Sequence, residues 1–157
     1  DHMYYYEKDF TTNTVSQKYK WSRQGIEHQI TKLQRLTKDQ LQEIYDAAQN
    51  KKIVNTLTRK LDNTFFKQLL IANEIKSILI LPLYINDIFT GFIGFDDCTK
   101  ERKWSEEEIY IFQVLANNIS SALERNRNET KIRHQSVSRM GGRNCFPSWW
   151  RLSIPTS

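Results

Sequence analysis

Apolar residues recur along this chain with two periods, and the changes between them mark its elements. Tyr4 to Glu7 and Thr14 to Trp21 combine aromatic and β-branched residues around the turn-prone stretch Asp9 to Asn13, and predict two strands. In the second, strict alternation places Val15, Gln17, Tyr19 and Trp21 on one face and Ser16, Lys18 and Lys20 on the other. After a loop around Gly25, Thr37-Lys38-Asp39-Gln40 has the form of a capping box, in which the hydroxyl accepts from the third helical amide and Gln40 reaches back. Leu41, Ile44, Tyr45 and Ala48 follow at helical spacing as far as Lys51-Lys52, whose charge suits a helix C-terminus. Ile53 to Leu57 predicts a short strand, and Asp62 to Asn73 a helix that buries Phe65, Phe66, Leu69 and Leu70.

Ser77 to Ile85, SILILPLYI, is apolar at successive positions, as expected of a strand covered on both faces. Pro82 cannot donate to a ladder and requires a bulge or an unpaired position there. Asn86-Asp87 supplies a turn into Phe89 to Phe95, so the two runs predict a hairpin, with Gly91 and Gly94 permitting close backbone approach. Ser105-Glu106-Glu107-Glu108 is a second capping box, with three carboxylates in the positive first turn of a helix that continues to about Lys131. That helix has two apolar stripes. Ile111, Leu115 and Ala122 form one, and Phe112, Ala116, Ile119 and Leu123 form another at heptad-like spacing, so two packing partners are expected.

Four pieces in order, IKSIL-x-x-P, G-F-I-G-F-D, R-x-W-S-x-E-E and A-x-x-I-x-x-A-L-x-R, lie between Ile75 and Arg125. This run resembles the C-terminal half of GAF domains in bacterial signalling proteins, and Tyr19-Lys20-Trp21 and Leu33 to Leu36 resemble the family's more variable first half. The resemblance implies an α+β fold of α/β/α layers, with a central antiparallel sheet flanked by helices and a long C-terminal helix. It covers residues 4–130. In the family a further helix precedes the first strand and packs beside the last helix. Here the first strand begins almost at once, which is expected to expose an apolar stripe; either the preceding helix has been trimmed away or a second copy of the chain covers that surface.

Composition narrows the function classes. With 157 residues, 39% hydrophobic and 12% aromatic, the chain suits one domain with one core. The longest apolar run has eight residues, too few to span a bilayer. The net charge of +5 lies in residues 131–157, where Lys131, Arg133, Arg139, Arg143 and Arg151 occur without an acid; 18 basic and 18 acidic residues precede them. A neutral body lacks the clustered cations of a nucleic-acid interface, so no nucleic-acid partner is expected. Asp1-His2-Met3 resembles a tag remnant, and residues 131–157 read as a basic tail, a linker or vector-derived sequence. Cys98 and Cys145 form neither a disulfide framework nor a zinc pattern, which fits a cytoplasmic protein.

Candidate chemistry is sparse. Cys98 reads as a loop thiol rather than a redox or chromophore-bearing residue, and His28 and His134 have no ligand partners in sequence, so no metal is assigned. Arg102 and Trp104 read as structural, with Trp104 an apolar staple before the Ser105 cap and Arg102 pairing with a carboxylate. The resemblance places any ligand between the sheet and the connection covering it. Trp21, Phe65, Phe66, Leu79, Leu81 and Phe92 are then candidate contacts, with Arg23 and Arg59 for an anionic group, although core packing is the favoured account of each of the apolar ones. No cofactor is indicated. The expected function is a non-catalytic sensory or regulatory input domain that binds a small ligand, dimerises through Phe112, Ala116, Ile119 and Leu123, and relays to an output domain such as a histidine kinase or diguanylate cyclase. The alternatives are a ligand-free dimerisation module and a small redox enzyme using Cys98.

Overall fold

A computed structural model describes residues 1–23 and 33–140, with side chains to residue 134. The loop around Gly25, His28 and the tail beyond Met140 lie outside the described residues. The chain forms two compact units, Asp1–Ser121 and Ala122–Ser157. The sheet and the helices that cover it, the last of them as far as Ser121, belong to the first.

Five strands, β1 (His2–Asp9), β2 (Thr14–Ser22), β3 (Val54–Leu57), β4 (Ser77–Ile85) and β5 (Ile88–Asp97), form one antiparallel sheet in the order β2-β1-β5-β4-β3. Three helices, α1 (Gln42–Gln49), α2 (Phe65–Ala72) and α3 (Glu106–Met140), complete the elements, with 3-10 turns at Asp39–Leu41 and Thr58–Lys60. The strands and helices fall where the two periods place them. The first strand starts two residues earlier than expected, so His2 is taken into the sheet opposite Ser22 and Asp96.

Alternation along β1, β4 and β5 divides the interior into two layers. Tyr4, Tyr6, Ile78, Ile80 and Phe92 face one way and share a core with Ile44, Tyr45, Phe66 and Leu70 of α1 and α2. Leu79, Leu81, Leu83 and Ile93 face the other way and are fully buried, and on that side Phe95 stacks on Phe112 of α3 at 4.0 Å. The two-sided apolar run of β4 is thereby explained. Pro82 lies beyond Ile80, the last residue of β4 that β3 pairs, so at Pro82 the strand has β5 as its one neighbour.

One face assignment differs from the expected alternation. The register of β2 against β1 slips between Tyr5 and Tyr6, with Lys18 as the additional residue. This bulge reverses the facing of everything after it. Val15 and Gln17 are buried with Tyr6, whereas Tyr19 stacks on Tyr5 and, with Trp21, is exposed on the opposite face.

Local chemistry closes the elements. Asn86 and Asp87 both have positive φ, 51° and 61°, the backbone of a type I′ hairpin turn between the paired residues Ile85 and Ile88. The Ser105 box is reciprocal: the Ser105 amide donates to Glu108 Oε2 at 2.8 Å and the Glu108 amide to Ser105 Oγ at 3.2 Å. At Thr37 half of the box forms. The Thr37 amide donates to Gln40 Oε1 at 2.9 Å, but the Thr37 hydroxyl also donates to Gln40 rather than accepting a helical amide.

Gly91 is a steric requirement. It has φ +155°, and a Cβ placed there would lie 2.1 Å from the Tyr6 carbonyl oxygen in β1. Gly91→Ala is expected to destabilise the fold by about 3 kcal/mol or more. Gly94→Ala, whose Cβ would meet only the Tyr4 ring edge at 3.4 Å, should stay within about 1 kcal/mol of the parent. Urea denaturation of both variants checks the contrast.

Candidate functional site

The space between the sheet and α2 is a small apolar cavity. Tyr4, Tyr6, Phe66, Leu70, Asn73 and Phe92 are among its walls, and its volume is about 40 Å³. That is room for about one water molecule. The Tyr6 and Phe92 rings stack at 4.6 Å with 11° between their planes and occupy the sheet side of the space. Burial pushes the Tyr6 hydroxyl pKa well above its usual value, so it remains a neutral hydrogen-bonding group, 3.3 Å from Gln17 Oε1.

Of the ligand candidates read from the sequence, Phe66 and Phe92 line this cavity. The others do not. Leu79 and Leu81 alternate onto the opposite face; Leu81 borders a groove with Pro82, Tyr84 and Val114. Phe65 is next to Phe66 in α2 and is turned outward by the helical repeat. Trp21, displaced by the bulge, is 62% exposed and shares a shallow cleft with Arg23, Lys100 and Arg102. Arg59 is exposed and paired with Glu101 at 3.0 Å. The cavity residues missed in the sequence include Tyr4, Tyr6, Ile78 and Ile80. Their alternation was visible, but which parity faced α2 depended on a register that no single strand displays.

The expected dimerisation stripe is divided in the structure. Phe112 and Ala116 are spent on the sheet, through the Phe95 stack and full burial respectively. The neighbouring stripe is the uncovered one: Ile111 is 64% exposed, and Tyr110, Val114 and Leu115 are exposed beside it. Ile119 is half-buried, and Leu123 belongs to the second unit.

A polar cluster occupies the end of β5. Asp96 Oδ1 accepts from the His2 amide at 3.1 Å and lies 2.8 Å from His2 Nδ1, while the Tyr4 hydroxyl donates to Asp96 Oδ2. Cys98 Sγ is 3.7 Å from the same Oδ1. Burial raises the Asp96 pKa, with the His2 ring pulling against it. Burial, and then the Asp96 charge, push the Cys98 thiol up to about 12, so it is held protonated. No local pattern signals this grouping, because His2 reads as part of a tag remnant and its partners lie more than 90 residues away in the sequence.

Next to it, Arg102 bridges the sheet to the start of α3. Its guanidinium contacts Asp97 Oδ2 at 3.3 Å and Glu108 Oε1 at 2.9 Å and lies over the buried Trp104 ring at 4.7 Å. The carboxylate pairing expected of Arg102 is present, and Trp104 is buried under its guanidinium just before the Ser105 cap.

A five-stranded antiparallel sheet in this order, with α1 and α2 on one face and the start of α3 on the other, is the layered α+β architecture of GAF-type domains. Residues 5–123 match the GAF domain family, and the chain belongs to that family. A relative, the methanogenesis regulatory histidine kinase FilI of Methanothrix harundinacea (strain 6Ac), is 34% identical over 137 residues. The match takes in 84% of this chain and 15% of that protein, so the chain corresponds to a small part of it. The GAF domain of a two-component sensor histidine kinase from Bacillus halodurans superimposes with a TM-score of 0.67 at 18% identity, over 83% of this chain and 85% of that one. The phycocyanobilin-bound GAF domain of a cyanobacterial phytochrome gives 0.70 at 14% identity, over 82% and 77%. At such identities the structural likeness establishes the fold.

Two outcomes test the site's electrostatics. In the folded chain, Cys98 should react with iodoacetamide at least about 100-fold more slowly than in urea, read by peptide mass spectrometry. The Arg102 guanidinium, and then the Ser105 amide, hold Glu108 below the usual carboxylate range. Its contribution to stability is therefore present above the unfolded carboxylate pKa, about 4.3, and is lost as pH falls through the lower folded value. The stability difference between the parent and Glu108→Gln should accordingly shrink between about pH 6 and pH 3 in urea melts.

Proposed function

We propose that this chain is the sensory input domain of a cytoplasmic signal-transduction protein of the histidine-kinase kind. It takes up a small, largely apolar ligand between the sheet and α2 and relays occupancy through α3 to an output domain elsewhere in the parent protein. The observation carrying this reading is the cavity: an apolar space at the interior of a GAF sheet, with Asn73 and two tyrosines as its polar groups. Relatedness to a regulatory histidine kinase supports the output. Among the described residues no helix is long and apolar enough to cross a membrane.

The volume sets the ligand class. At about 40 Å³ the space is far below the roughly 300 Å³ or more of ordinary ligand pockets, so a tetrapyrrole is disfavoured and uptake requires α2 to yield. A ligand that prefers the yielded state shifts the population toward it by the difference in its affinities for the two states.

A second reading rests on the uncovered stripe of α3. Ile111 and Leu115, with Tyr110 and Val114 beside them, form an apolar surface suited to the same surface of another copy, giving a homodimer with or without a ligand.

Indole serves as a probe of the cavity. Millimolar indole should raise the Tm of the parent by a few degrees and shift the NMR signals of Tyr6 and Phe92, and Leu70→Phe, which fills the space, should abolish both effects. Absence of any response in the parent would remove the ligand reading. For the second reading, Ile111→Lys and Leu115→Lys should give folded monomers in sedimentation, whereas Phe112→Lys should unfold the chain; a parent that is monomeric at high concentration refutes it.

A further inference from the structure

His2, read from the sequence as part of a tag remnant but taken by β1 into the sheet, meets Asp96 and Cys98, more than 90 residues further along the chain, in the interior, where all three are buried. Their donor atoms form a compact triangle: His2 Nδ1 to Asp96 Oδ1 is 2.8 Å, His2 Nδ1 to Cys98 Sγ is 3.8 Å, and Cys98 Sγ to Asp96 Oδ1 is 3.7 Å. A point equidistant from the three atoms lies about 2.0 Å from each, close to the bond lengths of zinc to imidazole nitrogen and carboxylate oxygen, and slightly short for sulfur. Swinging the ion by about 0.7 Å about the edge from Nδ1 to Oδ1, out of the plane and away from sulfur, keeps those two distances and gives the thiolate its longer bond of about 2.3 Å.

We propose that these residues form a binding site for a divalent cation of borderline softness, Zn²⁺ foremost. The donor set of one imidazole, one carboxylate and one thiolate matches that ion and does not match Mg²⁺ or Ca²⁺, which take oxygen donors. The surroundings are those of a built site. Asp96 Oδ2 is held by the Tyr4 hydroxyl and Oδ1 by the His2 amide, which fixes the carboxylate with an oxygen toward His2 and Cys98. The buried carboxylate has the N-terminal ammonium 3.9 Å from Oδ1 as a neighbouring charge, and a bound cation neutralises it at bonding distance. Uptake replaces the hydrogen bond between His2 Nδ1 and Asp96 Oδ1, with the ring proton carried on Nε2, forms a bond to the thiolate and releases the thiol proton to solvent. Three protein donors leave the fourth tetrahedral position to a water molecule.

The site ties the first residues of β1 to the end of β5. Asp97, next in the chain, carries the Arg102 contact that leads to α3.

The test uses the whole chain, freed of metal by dialysis against a chelator and titrated with Co²⁺ as a spectroscopic substitute and then with Zn²⁺. One equivalent of Co²⁺ should bind with thiolate-to-cobalt charge-transfer absorption, and Zn²⁺ should displace it and raise the Tm by about 5 °C or more. Cys98→Ser, nearly isosteric, should lose the charge-transfer band. Cys145→Ser should keep it, which separates this site from metal held by the other thiol. Asp96→Asn should weaken Zn²⁺ binding at least about 100-fold; if that variant fails to fold, the Cys98→Ser spectrum decides alone. No stoichiometric uptake at micromolar metal, or a charge-transfer band that survives in Cys98→Ser, overturns the proposal.

Discussion

Strand β5 is bordered by β1 and β4 and has buried side chains on both faces, so it leaves neither its backbone nor its side chains to solvent over most of its length. Everything else in the first unit answers that constraint. Each face must be covered by a separate layer, and each neighbour must approach closely enough to complete a ladder. The closest of those approaches falls at Gly91, where β1 runs within the volume that a side chain would need. The aromatic residues of β1 and the aliphatic residues of β4 can then be read as the two cores that β5 joins.

The two covers differ in kind. On one face α1 and α2, each of eight residues, close over an aromatic layer in which Tyr6 and Phe92 stack and Phe66 packs from above. On the other, a single long helix is fixed at its start by a capping box, by the Arg102 bridge and by the Phe95–Phe112 stack. Short helices depend on tertiary packing more than a long one does. The face that would admit a ligand is therefore covered by the elements with the least stability of their own, and the face that would carry a response by the element with the most.

What the sequence disclosed divides along the same lines. Features set by neighbours in the chain were legible: the Asn86–Asp87 turn, the Ser105 box, the limits of β4 and the existence of two stripes on α3. Features set by register were not. A single additional residue at Lys18 reversed the facing of Tyr19 and Trp21, and the parity of β4 sent Leu79 and Leu81 away from the cavity that Ile78 and Ile80 line. The choice between the two stripes of α3 depended likewise on which one met Phe95. The family resemblance supplied the order of the layers, and membership in the GAF family is established, but side-chain facing had to come from pairing. The His2, Asp96 and Cys98 grouping was the least legible, since it exists only once β1 lies beside β5.

The bulge in β2 has a further consequence. An antiparallel sheet with free edges is a template for another chain, and flat, uncharged edges are the hazard. Here β3 offers only four residues, and the first part of β2 is occupied by residues 33–36, with Val15 and Leu36 exchanging backbone hydrogen bonds at 2.8 Å and the Gln17 amide donating to the Leu33 carbonyl at 2.9 Å. The remainder of β2 is irregular at Lys18 and carries Lys20. The irregularity that hid Trp21 from a simple reading of alternation thus also spoils the sheet's longer border as a seed for edge-to-edge aggregation.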